Sequence, residues 1–156
     1  MARNQKADEE KILGDRIDMK IETQFDEKKV EYIARNCGSK SVKQSIVYLR
    51  RAHYNNPSKF VCVIVDDCAF YAGTICKSHF RLLELAVMED EHRKGYGRIL
   101  IGLIRQLCKQ KGLEKITFRT SRKEDALYFY EKMGAKIVKI KDEDFEMELP
   151  MKRGAI

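Results

Sequence analysis

The stretch Leu82–Lys111, LLELAVMEDEHRKGYGRILIGLIRQLCKQK, decides how the rest of the chain is read. Its apolar opening, Leu82 to Met88, is too short for a lone helix and predicts a buried strand. The charged residues Glu89 to Lys94 then turn the chain into Gly95-Tyr96-Gly97. An amphipathic helix follows, with Leu100, Leu103, Ile104 and Leu107 at helical spacing and Gly112 as its stop. A strand, a basic glycine turn and a helix together make a cradle for an anion. Glycine lets the backbone approach closely, the first-turn N–H groups of a helix lack intrahelical partners, and the helix dipole favours negative charge there. Arg93, Lys94 and Arg98 place cationic charge at the same point.

The flanking composition bounds what that cradle serves. At 156 residues the chain fits one domain with a core of its own, expected over 15–150 between a charged tail at 1–14 and a short tail at 151–156. It contains neither an apolar run of membrane-spanning length nor a signal-peptide core. Five cysteines (Cys37, Cys62, Cys68, Cys76, Cys108) form no C-x-x-C pair and sit mostly in apolar segments. They read as reduced thiols of a cytoplasmic protein, and the scattered His53, His79 and His92 give no metal site. The net charge of +7 raises a nucleic-acid reading, with basic residues at Arg93, Lys94, Arg98, Arg105, Lys109, Lys111, Lys115, Arg119, Arg122 and Lys123. No nucleic-acid-binding motif or stacking aromatics accompany them, so phosphate binding at the glycine turn is favoured over a DNA or RNA surface.

Outward from the central stretch, periodicity predicts the other elements. Asp15 to Gln24 alternates as a half-buried strand. Asp26 caps a helix carrying Val30, Ile33, Ala34 and Cys37 that stops at Gly38. Ser41 and Gln44 form a capping-box pair for a second helix through Val42, Ile46, Leu49 and His53, ended by Asn55-Asn56-Pro57. His53 lies in line with that apolar face and reads as a core or boundary residue. Phe60–Val65 and Ala69–Cys76 form a hairpin about Asp66-Asp67. Beyond the central helix come a strand at Lys115–Thr120, a capping box Ser121-x-x-Glu124, and a helix of Ala126, Leu127, Tyr130 and Met133 that Gly134 ends. Strands at Ala135–Ile140 and Phe145–Leu149 close the chain. The resulting order is β-α-α-β-β-β-α-β-α-β-β, an α/β chain with a mixed sheet.

The glycine turn lacks the Walker G-x-x-x-x-G-K-[ST] pattern, and Leu100 stands where a dinucleotide fingerprint needs a third glycine. It resembles instead the acetyl-CoA motif [Q/R]-x-x-G-x-[G/A] of the GNAT N-acetyltransferases. Leu85-Ala86-Val87 is followed at that family's spacing by His92-Arg93-Lys94-Gly95-Tyr96-Gly97, with His92 where Gln or Arg is usual. A second segment, Ala126-Leu127-Tyr128-Phe129-Tyr130-Glu131-Lys132-Met133-Gly134-Ala135, looks like the family's A-x-x-[LF]-Y-E-K-[LM]-G-[FA]. The element order is also similar to the GNAT acyl-CoA acyltransferase fold.

The resemblance implies an N-acetyltransferase that takes acetyl-CoA as donor, uses no metal, and acts on a primary amine by direct transfer in a ternary complex. The turn from Arg93 to Arg98 would grip the pyrophosphate. The backbone of Leu85, Ala86 and Val87 would meet the pantetheine arm, with Val87 N–H facing the thioester oxygen. Tyr130 would protonate the departing sulfur. Spacing alone makes Tyr130 a core aromatic beside Ala126 and Met133, and Tyr128 lies on another face. Lys123, where the family often has Asn, would meet a coenzyme A phosphate or water. An amine near pKa ~10 also needs a base at neutral pH. Glu84 is the only carboxylate in the central strand, but alternation puts it opposite Leu83 and Leu85. The positions where the family carries its base are Arg81 and Leu83, and neither can serve. Glu84 is therefore the candidate base, with a water relay as the alternative. Asp90 and Glu91 read as solvated turn charges, and His79 as an exposed loop residue. Three functions stay open: the enzyme, a non-catalytic acyl-CoA-binding sensor of the same fold, and a basic nucleic-acid-binding domain. The acceptor, and the choice between monomer and homodimer, are not readable from these residues.

Overall fold

The predicted element order is the one that forms. The computed structural model describes residues 18–39, 42–121 and 126–151. It runs β1 (Ile21–Glu22), α1 (Glu27–Arg35), α2 (Ser45–Asn55), β2 (Phe60–Val65), β3 (Ala69–Ile75), β4 (His79–Val87), α3 (Tyr96–Lys111), β5 (Lys115–Ser121), α4 (Ala126–Lys132), β6 (Lys136–Lys141) and β7 (Asp144–Pro150). Short 3-10 turns precede α2 and α3. The strands make one seven-stranded sheet in the order β1-β2-β3-β4-β5-β7-β6. Every neighbouring pair is antiparallel except β4 and β5, which run parallel.

Alternation along the strands sends side chains into two cores, one on each face. Val63 and Val65 join Phe80, Leu82, Ile116, Phe118 and Met147 under α3 and α4, against Ile99, Leu100, Ile104, Cys108, Tyr130 and Met133. Cys62 and Ile64 join Phe70, Ala72 and Ala86 under α1 and α2, against Val30, Ile33, Ala34, Ile46 and Leu49. The buried face of α3 is centred on Ile99, Leu100, Ile104 and Cys108, while Leu103 and Leu107 flank it. Gly112 at φ 67 ends α3 in the left-handed conformation, which turns the next N–H, that of Leu113, back onto Cys108 C=O at 2.8 Å.

Local chemistry fixes the entry of each element. Asp26 caps α1 by accepting from Lys29 N–H at 3.2 Å. Asp66 and Asp67, both at positive φ, make the tight turn whose twist suits a hairpin. Asp66 is further pinned by Tyr96 Oη–H at 2.8 Å, which ties the β2–β3 turn to the start of α3. Burial, and then this bond to Asp66, pushes the Tyr96 phenol above the ordinary tyrosine range. Of the strand expected over 15–24, the described residues form a ladder at Ile21–Glu22, paired with Val65 and Ile64. The chain must leave the sheet there, because Asp26 N–H already turns onto Gln24 C=O and α1 begins. Residues 15–17 of that segment, Ser41 of the first capping pair, and Glu124 of the second lie outside the described residues.

Two side chains depart from their sequence reading. Arg105 is not on a solvated basic face; it is buried and donates from Nη2 to Met133 C=O at 3.1 Å, stitching α3 to the end of α4. His79 is a half-buried first residue of β4, paired with Lys115, and no loop residue. His53 does sit at a boundary, exposed but with its ring 5.3 Å from both Phe25 and Phe60.

The five thiols are unpaired by disulfides, and only Cys76 is not buried. Burial holds Cys62 up at about 12 and Cys108 at about 11, and it also raises Cys68. Since the thiolate is the nucleophile, Cys76 is expected to take one equivalent of a thiol reagent at pH 8 within minutes, and the other four only on unfolding. Mass-spectrometric mapping of the labelled cysteine checks this, and rapid native labelling of Cys62 or Cys108 would contradict it.

Candidate active site

The site is built by a defect in β4. Along its pairing with β3 the register runs Ala72↔Glu84 and then Gly73↔Leu82, so Leu83 is an extra residue on β4, a β-bulge. An extra residue resets the alternation. Phe80 and Leu82 face α3 before the bulge, and Leu85 and Val87 face it afterwards. Leu83 packs with the core under α1 and α2, where Glu84 also points. Gly73 is what allows this. A Cβ there would stand 2.4 Å from Arg81 C=O and 2.5 Å from the Phe80 ring.

The second consequence concerns the other edge of β4. Its ladder with β5 covers only His79–Arg81, and among the described residues the strands then part. Met88 N–H bonds Cys68 C=O at 2.8 Å. Antiparallel alternation from that bond turns the N–H and C=O of Val87 and Leu85 away from β3, toward the open edge. Two contacts agree: His92 Nε2 lies 2.8 Å from Val87 C=O, and Leu85 N–H reaches Glu84 Oε1 at 3.3 Å. Glu84 therefore holds its carboxylate beside the gap.

The glycine turn closes one end of the gap. Arg93 at φ 69 and Gly95 at φ 88 are both left-handed, with α3 starting at Tyr96. Turns with such alternation let successive amides converge on an anion. A Cβ added at Gly95 would meet nothing within 4 Å, so the space over this backbone is open. Gly97 has a different reason to be glycine: a Cβ there would press on the Phe129 ring at 3.0 Å, so it sets the approach of α3 to α4. Arg93 and Arg98 are exposed around the turn, and Lys94 pairs with Glu91 at 2.9 Å. Tyr96 points the other way, into the core and onto Asp66.

Tyr130 comes from α4. It is buried, with its ring 4.3 Å from Phe118 of β5 and 5.3 Å from Phe129. Tyr128 lies outside, 68 % exposed under the Lys132 ammonium. Arg81 forms an ion pair with Glu146, supported by Thr117 Oγ1 at 3.2 Å, and Asp90 is an exposed turn charge. Lys123 is outside the described residues.

Sequence reading missed Tyr48. It lies off the apolar face of α2, and 41 % of it is exposed, but its hydroxyl reaches down to Glu84 Oε2 at 2.9 Å and Leu83 C=O at 3.0 Å. Burial of the hydroxyl, followed by the Glu84 charge and hydrogen bond and by Tyr130, pushes this phenol well above the tyrosine range. Tyr48 of α2 and Glu84 of β4 are thus in direct contact, and Tyr130 of α4 acts on Tyr48 electrostatically. Nothing in the sequence of α2 singles Tyr48 out, since Val47 and Tyr54 are exposed there as well.

The frame of the site is therefore a seven-stranded mixed sheet that splays between parallel β4 and β5, with a glycine turn and a helix after β4. The chain belongs to the acetyltransferase (GNAT) family, whose sequence model matches residues 27–135. No curated protein matches it significantly by sequence. Solved structures share the fold. The PaiA N-acetyltransferase of Thermoplasma acidophilum, in complex with coenzyme A, aligns with TM-score 0.71 at 18 % identity, over 85 % of this chain and 98 % of that one. The Ard1 protein of Thermoplasma volcanium aligns with TM-score 0.68 at 22 % identity, over 85 % and 97 %. A ribosomal-protein alanine N-acetyltransferase of Escherichia coli aligns with TM-score 0.69 at 16 % identity, over 88 % and 96 %. Among the described residues no helix is long and apolar enough to cross a membrane.

Proposed function

We propose that the protein is an acetyl-CoA-dependent N-acetyltransferase acting on a primary amine by direct transfer. The observation that carries this is the parting of β4 from β5 just where Leu85 and Val87 turn their backbone groups outward, with Glu84 beside that edge. A pantetheine arm has amides that would pair there as a partial strand. The turn Arg93–Arg98 would take the diphosphate, with open backbone at Gly95 and guanidinium groups at its rim. Val87 N–H, facing the gap, would meet the thioester oxygen. A preplaced donor of this kind contributes roughly 3 kcal/mol to a developing oxyanion.

The proton inventory assigns the side chains. The acceptor ammonium loses two protons on becoming an amide; one is needed by the departing thiolate and one is released. Glu84 accepts the proton that frees the amine lone pair. Nitrogen then bonds the thioester carbon, the carbon–sulfur bond breaks, and Tyr130 gives its proton to the thiolate; the second proton that nitrogen sheds restores the phenol, and the first is released from Glu84 to solvent. A phenol near ~10 is protonated at neutral pH and has that proton to give.

Acetyl-CoA at about 100 times its Kd is expected to stabilise the protein by about 2.7 kcal/mol, read as a rise of several degrees in Tm. Free thiol should appear when the protein meets acetyl-CoA and a panel of an alanine-initiated peptide, a lysine amide, a polyamine and an aminoglycoside. Glu84→Gln should lower that turnover about 100-fold. A protein whose Tm ignores acetyl-CoA refutes the reading. One that is stabilised but releases no thiol is a sensor.

A further inference from the structure

We propose that Tyr48 is a positioning residue that keeps Glu84 hydrogen-bonded in both of its protonation states, using the bulge carbonyl of Leu83 as its second partner. The inference rests on the reading of Glu84 as base and goes beyond it, since it adds a residue from α2 and a role for the irregularity in β4.

The hydroxyl of Tyr48 has one hydrogen but two acceptors in reach, Glu84 Oε2 at 2.9 Å and Leu83 C=O at 3.0 Å. A tyrosine hydroxyl both donates and accepts. While Glu84 is a carboxylate, Tyr48 donates to it. When Glu84 has taken the amine's proton it becomes a donor itself. Tyr48 then swings its hydrogen to Leu83 C=O and accepts from Glu84. No proton leaves Tyr48 in either state; only the direction of the bond reverses. Without the bulge, Leu83 and Glu84 would not both present groups to α2, and Glu84 would face the α3 side with Leu82. A half-buried carboxylate whose hydroxyl donor could not reverse is held in its charged form and makes a poorer base. One whose partner reverses loses no hydrogen bond on accepting a proton.

The test is a double-mutant cycle of Tyr48→Phe and Glu84→Gln on the full chain. It uses acetyl-CoA and whichever amine of the panel turns over fastest. Tyr48→Phe keeps the ring but removes both donor and acceptor. It is expected to lower kcat about 10-fold, leaving the KM for acetyl-CoA unchanged and lowering Tm by no more than a few degrees. In the Glu84→Gln background the same change should cost no more than about twofold, because a carboxamide has no protonation cycle to support. Three results would overturn the proposal: wild-type kcat in Tyr48→Phe, an undiminished 10-fold loss on top of Glu84→Gln, or a loss confined to KM or Tm. Wild-type turnover in Glu84→Gln alone would instead remove the base reading, and Tyr48's role with it. A panel in which no amine is acetylated would remove the enzyme reading along with both roles.

Discussion

Tyr130→Phe is expected to lower kcat about 100-fold while changing the KM for acetyl-CoA by no more than about twofold. Phenylalanine preserves what the ring does structurally, namely its contact with Phe118 at 4.3 Å and with Phe129 at 5.3 Å. Only the hydroxyl is lost, and in the proposed reaction the hydroxyl acts as sulfur departs. The size of the loss should therefore depend on the leaving group. With the coenzyme A thioester, an alkyl thiolate near pKa ~8.5 needs its proton. With an acetyl ester of a more acidic aryl thiol the thiolate leaves unaided, and the variant should approach the wild-type rate. Steady-state thiol release with the two donors separates this from a packing defect, which would slow both alike. Equal turnover of Tyr130→Phe and wild type on acetyl-CoA would remove the acid role from Tyr130.

Most of the scaffold was legible because it follows from periodicity and punctuation. Phe60–Val65, Ala69–Ile75 and Lys115–Ser121 are β-branched or apolar runs bounded by turn residues, and each forms a strand at close to the expected limits. Gly95 and Gly112 mark α3 because only glycine takes their positive φ without strain. The candidate site was legible in part. Backbone groups at Leu85 and Val87 face an open edge, and the turn at Gly95 is uncovered. The side on which Glu84 lies was not legible, for a specific reason. Alternation assumes an unbroken ladder, and a one-residue bulge inverts every assignment beyond it. Nothing in Leu82-Leu83-Glu84-Leu85 signals the bulge; the only trace is Gly73, on the neighbouring strand. Tyr48 was missed because its partner lies 36 residues away in sequence, and helical periodicity sorts faces without telling which outward residue bends back to a strand. Edge elements were the least legible. Among the described residues β1 is Ile21–Glu22 alone, and the turn at Gln24–Asp26 into α1 sets its C-terminal end.

The same glycine yields the second large effect. Gly73→Ala is expected to destabilise the protein by about 3 kcal/mol, a fall in Tm of about 10 °C, and to cut kcat more than the lost stability explains. The new methyl group would stand 2.4 Å from a backbone oxygen, Arg81 C=O, and 2.5 Å from the tip of the Phe80 ring. The ring belongs to the fully buried core under α3 and cannot swing into solvent. The oxygen belongs to β4 at the last residue paired with β5. The least costly relief is therefore for β4 to shift away from β3 around Leu82 and Leu83, which unmakes the bulge. Glu84 would then lose its seat against Tyr48, and the outward groups of Leu85 and Val87 would rotate with it. Urea unfolding gives the stability loss. Turnover at a temperature where the variant is almost wholly folded gives the remainder, expected to be at least about 10-fold for a misplacement of this size. A variant that loses stability but keeps its full kcat when folded would show that the bulge is only a packing feature, and that Glu84 does its work wherever β4 places it.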